Sequence, residues 1–101
     1  RPRFHLTRWR SALAWRIEYT PKSAKALSKL DKATAARIVN FMLDRPAQSP
    51  RSLGKPLAGP FAGFWRYRVG DYRILARIED DRLVVLVVKV GHRRGIYGGG
   101  G

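Results

Sequence analysis

Arg66, Arg68, Arg73 and Arg77 alternate with apolar residues on two runs separated by Gly70-Asp71. A guanidinium is planar, permanently charged and able to hold two oxygens of one phosphate, so a cluster of them suits binding a phosphodiester and stabilising charge that develops on it. Their spacing implies a strand over Phe64 to Val69, a two-residue hairpin loop in its glycine-first form, and a return strand over Tyr72 to Ile78. With Val69 paired to Tyr72, Arg68 stands opposite Arg73, Arg66 opposite Leu75 and Arg77 opposite Phe64. These arginines then share one face, while Trp65, Tyr67, Val69, Tyr72, Ile74, Ala76 and Ile78 point into a core. Like charges directly opposite across strands destabilise by about 0.2–1 kcal/mol per pair, a penalty that a bound anion relieves.

A second polar group, His92-Arg93-Arg94 with Tyr97, follows the apolar run Leu83 to Val90. It therefore emerges at the end of a buried strand. Attack on a phosphodiester by a neighbouring hydroxyl builds negative charge on the phosphate oxygens, which Arg73 and Arg93 suit; the hydroxyl must also lose its proton. Arginine cannot act as the base in a protein. That task is left open between Tyr97, whose ordinary pKa near 10 would have to fall, and His92, whose ordinary value near 6.5 already fits. The residues of this site supply no metal-ligand set, and no cofactor is expected.

Composition agrees with a polyanionic partner. Lys and Arg total 21 against 7 Asp and Glu, a net charge of +14 on 101 residues, beyond the magnitude of about 2–8 that solubility asks of a small domain. The excess runs through the whole chain, so the fold itself is basic. The chain has no cysteine, which excludes disulfides and thiolate metal sites and suits a reducing cytoplasm. No apolar run approaches the roughly 18 residues of a membrane helix.

The elements that must hold these residues are legible. Trp15, Ile17 and Tyr19 alternate with Arg16 and Glu18 in a first strand. Thr20-Pro21 caps a short helix bearing Ala24, Leu27 and Leu30; Asp31 caps a second, with the stripe Ala35, Ile38, Phe41 and Met42, which Pro46 stops. The helical lysines Lys22, Lys25, Lys29 and Lys32 read as a solvated face. Four prolines, Pro46, Pro50, Pro56 and Pro60, mark an irregular connection. Beyond it come the arginine hairpin and the strand Leu83 to Val90, whose unbroken Leu/Val content implies a central place in the sheet. The order is βααβββ: an α+β fold, a two-helix hairpin on a small, mainly antiparallel sheet. Residues 1–12 read as a leader or expression remnant outside the fold, 13–97 as the domain, and 98–101 as a glycine tail.

The run Trp65-Arg66-Tyr67-Arg68, Asp71-Tyr72-Arg73-Ile74, Val88-Lys89-Val90-Gly91-His92-Arg93 and Tyr97, preceded by Lys55-Pro56-Leu57-Ala58-Gly59, resembles the RelE toxins of the RelE/ParE superfamily. The resemblance extends from Leu13 to Tyr97. It implies a type II toxin that cleaves messenger RNA in the ribosomal A site, without metal, by 2′-hydroxyl attack on the adjacent phosphate. Arg66 and Arg68 match positions that contact the RNA backbone and assist proton transfer, although arginine stands where lysine is usual. Arg73 and Arg93 match arginines that neutralise the scissile phosphate, and Tyr97 matches a tyrosine that stacks on a base and helps deprotonate the hydroxyl. Lys55, Arg77 and Arg94 are expected to add RNA contacts. The implied partners are an acidic, helical RelB-like antitoxin, the ribosome, and operator DNA bound only by the toxin–antitoxin complex. Two other functions fit the chain: a ParE-like inhibitor of DNA gyrase, and a non-catalytic nucleic-acid-binding relative.

Overall fold

A threonine and a proline convert the first strand into a helix within two residues. Strand β1 spans Arg16–Tyr19, and helix α1 spans Pro21–Ser28 with Thr20 as N-cap, its hydroxyl accepting the Ser23 N–H at 3.2 Å. The computed structural model describes residues 14–96; the expected leader, the glycine tail and Tyr97 lie outside them. Helix α2, Lys32–Asp44, opens on Asp31, whose carboxylate accepts the Thr34 N–H at 3.0 Å. Both caps satisfy N–H groups that a helix start leaves free. Ile38 and Met42 are fully buried, as their helical spacing requires, and Ser23 fixes α1 to the sheet by donating to the Val87 carbonyl at 2.8 Å.

The sheet has five strands where four were expected. Strand β2 is only Lys55–Pro56; β3 is Trp65–Val69, β4 is Tyr72–Glu79 and β5 is Val84–His92, in the order β1-β5-β4-β3-β2. Strands β1 and β5 run parallel and all other pairs antiparallel. The apolar strand β5 is interior, as its composition implies, but β4 holds the middle. The helices cover one face, over Tyr67, Val69, Ile74, Ala76, Val85, Val87 and Val90. β3 starts at Trp65, so Phe64 lies outside the ladder and does not face Arg77 as expected; Arg77 pairs with Leu86 on β5.

One irregularity decides which side chains face away from the helices. Arg77 pairs with Leu86 and Ala76 with Val87, yet Leu75 pairs with Lys89, leaving Val88 as the extra residue of a β-bulge. Strict alternation would put Lys89 among the core valines and His92 on the open face. The bulge exchanges them: Lys89 and Gly91 join Leu75 and Arg73 on the open face, while Val90 and His92 join Ile74 and Tyr72 on the helix side.

The proline-rich connection folds into a short helix α3, Pro50–Leu53, and a 3₁₀ turn at Gly59–Phe61. It is pinned to β3. The Tyr67 hydroxyl donates to the Pro50 carbonyl at 2.6 Å, and Gly54 crosses β3 so closely that a Cβ there would lie 2.8 Å from the Arg66 carbonyl oxygen and 2.8 Å from the Tyr67 ring. That approach sets Lys55 opposite Arg66.

Candidate nucleic-acid interface

The open face carries its cations in two cross-strand rows. The first runs Lys55, Arg66, Leu75, Lys89 across β2, β3, β4 and β5; the second runs Arg68, Arg73, Gly91 across β3, β4 and β5. Directly opposed residues of antiparallel strands project to the same side, about 4.5–5.5 Å apart at Cβ. The hairpin register is the one its sequence implies, closing through Gly70, whose φ of 59° is a conformation glycine adopts without penalty.

Arg73 and Arg93 both engage this turn. Arg73 Nη1 donates to the Gly70 and Tyr72 carbonyls, each at 3.1 Å. The Arg93 backbone N–H donates to the Asp71 carbonyl at 2.8 Å, and its Nε lies 3.6 Å from Asp71 Oδ1. Arg66 lies one pleat inward, its Nε buried and without a hydrogen-bond partner. A third guanidinium reaches the turn from the helix side, since Arg37 Nη1 lies 3.1 Å from where a Gly70 Cβ would stand. Sequence reasoning missed Arg37, for which only helix-to-hairpin packing gives a signal. It also passed over Lys89, whose signal was a lone cation within an apolar strand.

The C-terminal segment turns back onto the open face. Gly95 and Ile96 N–H groups donate to the His92 carbonyl, and buried Ile96 sits where a Gly91 Cβ would point, 3.1 Å from that position. Glycine at 91 makes room for this return. His92 lies on the other side: its ring meets Tyr72 edge-on at 5.7 Å, and its Nδ1 accepts the Arg94 N–H at 3.2 Å. An accepting Nδ1 assigns the neutral-ring proton to Nε2. His92 thus supports the C-terminal turn from the face opposite Arg73. Arg94 is exposed in that turn, and Arg77 is exposed on the open face, farther along β4.

Acidic residues are segregated from these rows. Glu18 accepts from Arg16 at 2.6 Å and Arg82 at 2.9 Å, Arg82 also pairs with Glu79 at 2.6 Å, and Arg51 grips both oxygens of Asp80 at 2.9 and 2.8 Å. Hydrogen bonds from Arg16 and Arg82 hold the Glu18 carboxyl below its usual range, and Arg51 does the same for Asp80. Both clusters lie at the end of the sheet away from the hairpin. At the hairpin end Asp71 is the acid that engages a cation. Among the described residues, Lys55, Arg66, Arg68 and Lys89 have no acidic partner. A shallow groove lined by Gly63 and residues 77–81, Arg77 among them, lies away from the hairpin turn. Among the described residues no group of His, Cys, Asp or Glu could hold a metal ion, and no helix is long and apolar enough to cross a membrane.

Residues 17–97 match the family model described as the ParE toxin of the type II toxin–antitoxin system parDE. The chain is similar to toxin RelG of Mycobacterium tuberculosis, 33% identical over 85 residues covering 84% of this chain and 98% of that protein. It is 30% identical to toxin RelE of the same organism, over 82% of this chain and 86% of that one. Its fold superposes on the toxin–antitoxin complex RelBE2 of M. tuberculosis with a TM-score of 0.75 and 32% identity, covering 79% of this chain and 92% of that one. With the isolated Escherichia coli RelE toxin the TM-score is 0.66 at 21% identity, over 78% and 84% of the two chains, a likeness of fold.

Proposed function

Because the chain belongs to the ParE/RelE family of type II toxin–antitoxin toxins and is of the RelE type, we propose that it is a ribosome-dependent endoribonuclease. It cuts messenger RNA in the A site without a metal, and its neutralising partner is a RelB-like antitoxin. What carries this reading is that Arg73 and Arg93 both engage the Gly70-Asp71 turn, beside a track of cations that no carboxylate satisfies.

The chemistry follows from charge. The 2′ oxygen attacks the adjacent phosphorus as its proton leaves, negative charge grows on the non-bridging oxygens, and the P–O5′ bond breaks, the departing 5′ oxygen taking a proton from water, to leave a 2′,3′-cyclic phosphate and a 5′-hydroxyl. Arg73 and Arg93 stabilise that charge more in the transition state than in the ground state, because the developing dianion binds two fixed guanidinium groups more strongly. Arg66 and Arg68 hold the flanking backbone, with Lys55, Arg77 and Arg94 as outer contacts. Tyr97 is assigned the 2′-hydroxyl proton and a base to stack on. The resemblance to the RelE toxins supports that assignment, since arginine cannot be the base. His92 enters as support for the turn that carries Arg93.

The antitoxin assignment is supported by solved relatives, which include the RelBE2 complex and an archaeal RelE–RelB complex from Pyrococcus horikoshii. An acidic helical segment suits a toxin of charge +14. Operator DNA is assigned to the toxin–antitoxin complex, and the site of action to the cytoplasm, where ribosomes are. The family model bears the name ParE, and this favours gyrase inhibition as the second reading.

The test uses programmed ribosomes. Mapping 5′ ends on the messenger should show A-site cuts that require no divalent ion beyond what the ribosome needs. Arg73→Ala or Arg93→Ala should each slow cutting by about 100- to 1,000-fold. Intact messenger with the unaltered protein refutes the ribonuclease reading; arrested DNA supercoiling in a parallel gyrase assay would put the second in its place.

A further inference from the structure

We infer that Lys89 binds a second phosphate of the substrate strand, one nucleotide from the scissile group, so that the first cross-strand row is a track for a single-stranded backbone running perpendicular to the β-strands. This rests on the RNA-cleaving reading and adds to it a contact that the match to the RelE toxins did not supply.

The geometry begins with the bulge at Val88. Without it Lys89 would point among the buried valines; with it Lys89 pairs with Leu75 on the cation face. Bulges re-aim side chains in this way, and a strand that is otherwise apolar has turned its cation outward at the row containing Arg66. Neighbouring strands lie about 4.8 Å apart, so backbone positions 66 and 89 are separated by about 9.6 Å and positions 55 and 89 by about 14 Å. Between them lies Leu75, 1% exposed, and in the adjacent row Ile96, 1% exposed, covers Gly91. Both apolar side chains are covered, so what the row presents to a ligand is its flanking cations. That arrangement matches a backbone whose successive phosphates sit on the flanking cations.

Lys89 is uncommitted. Among the described residues it has no ion pair and no hydrogen bond, whereas Arg16, Arg51 and Arg82 are each held by carboxylates at the far end. A lysine is a point charge without the bidentate fork of Arg73, so it suits a flanking phosphate that changes little during the reaction.

The experiment measures binding separately from cutting. Fluorescence anisotropy would follow two non-cleavable, 2′-O-methyl single-stranded RNAs, a pentamer and a one-phosphate dinucleotide, between 50 and 200 mM NaCl. Each phosphate neutralised on a single strand adds about 0.7 to the slope of log affinity against log salt, or about 2.6-fold in affinity over that fourfold range. Lys89→Gln should lower the pentamer slope by about 0.7 and leave dinucleotide binding unchanged. Lys89→Arg should restore the slope, and Lys25→Gln on α1 should leave it alone. An unaltered pentamer slope in Lys89→Gln, an equal loss on the dinucleotide, or an effect on duplex DNA but not RNA overturns the inference. Ribosomal cleavage by the unaltered protein is read separately: intact messenger with the Lys89 slope effect present would sink the cleavage reading and leave the phosphate contact standing.

Discussion

Replacing Arg68 by threonine should make this protein more stable and a poorer toxin at once. Arg68 and Arg73 are directly opposite on the hairpin. Arg73 is tied by Nη1 to the Gly70 and Tyr72 carbonyls at 3.1 Å, so retreating from Arg68 costs it those bonds. Two unit charges about 7 Å apart in water repel by about 0.6 kcal/mol, inside the range of about 0.2–1 kcal/mol for opposed like charges in sheets. Threonine suits a strand, so removing the charge adds no backbone penalty. A gain near 0.6 kcal/mol corresponds to a Tm rise of about 2–5 °C for a domain of this size. Salt supplies the control. At 1 M NaCl the Debye length is about 3 Å, so the advantage should shrink toward the residual strand preference of threonine. Urea titrations at 20 mM and 1 M NaCl measure both terms, and A-site cleavage in parallel should fall. Inorganic phosphate should stabilise the unaltered protein more than the variant, because it binds the folded cation pair. A variant that is less stable at low salt, or whose gain ignores salt, refutes the idea that the hairpin folds against its own charge for the sake of an anion.

Burial pushes the Tyr67 phenol up to about 12. Its neutral form is the one the fold favours, so this stability is complete below pH 10 and is lost as pH rises through 12, on the order of 2–3 kcal/mol. Tyr67→Phe should cost about 1–2 kcal/mol at neutral pH by orphaning the Pro50 carbonyl, and should flatten most of the alkaline loss, leaving the part due to Tyr19, also raised by burial; urea midpoints from pH 8 to 12 decide it. Gly54→Ala would force the connection off β3, costing about 1–3 kcal/mol and weakening RNA binding as Lys55 leaves its row; anisotropy with the RNA pentamer reads the second effect. Leu83 is exposed with a φ of 54°, so Leu83→Gly should stabilise by about 0.5–1 kcal/mol, the left-handed penalty less the entropy of glycine. No gain in Tm would show that the turn before β5 carries no strain.

The hairpin register, the two helix caps and the α+β order were legible because each is a short-range matter. Alternation fixes faces, a glycine-first pair fixes the turn, and Thr20 and Asp31 cap whatever helix begins beside them. Strand β2 was not legible, since two residues ending in proline carry no period; they pair only because Gly54 and Tyr67 bring the connection against β3. The RelE-like assignment was legible from residue types in order, and agrees with relatives that cover most of the chain.

What the sequence determined by itself, then, is a basic α+β domain with an arginine ladder on one face of a hairpin. What only the folded chain decided is the identity of the residues facing that ladder from β5. Parity along a strand is lost at a single inserted residue, and nothing in Val84 to Val88 signals where the insertion falls, because either valine packs equally well. The extra residue at Val88 is set by how β5 pairs with β4, and that pairing turns Lys89 to the cation face and the exposed His92 to the helix side.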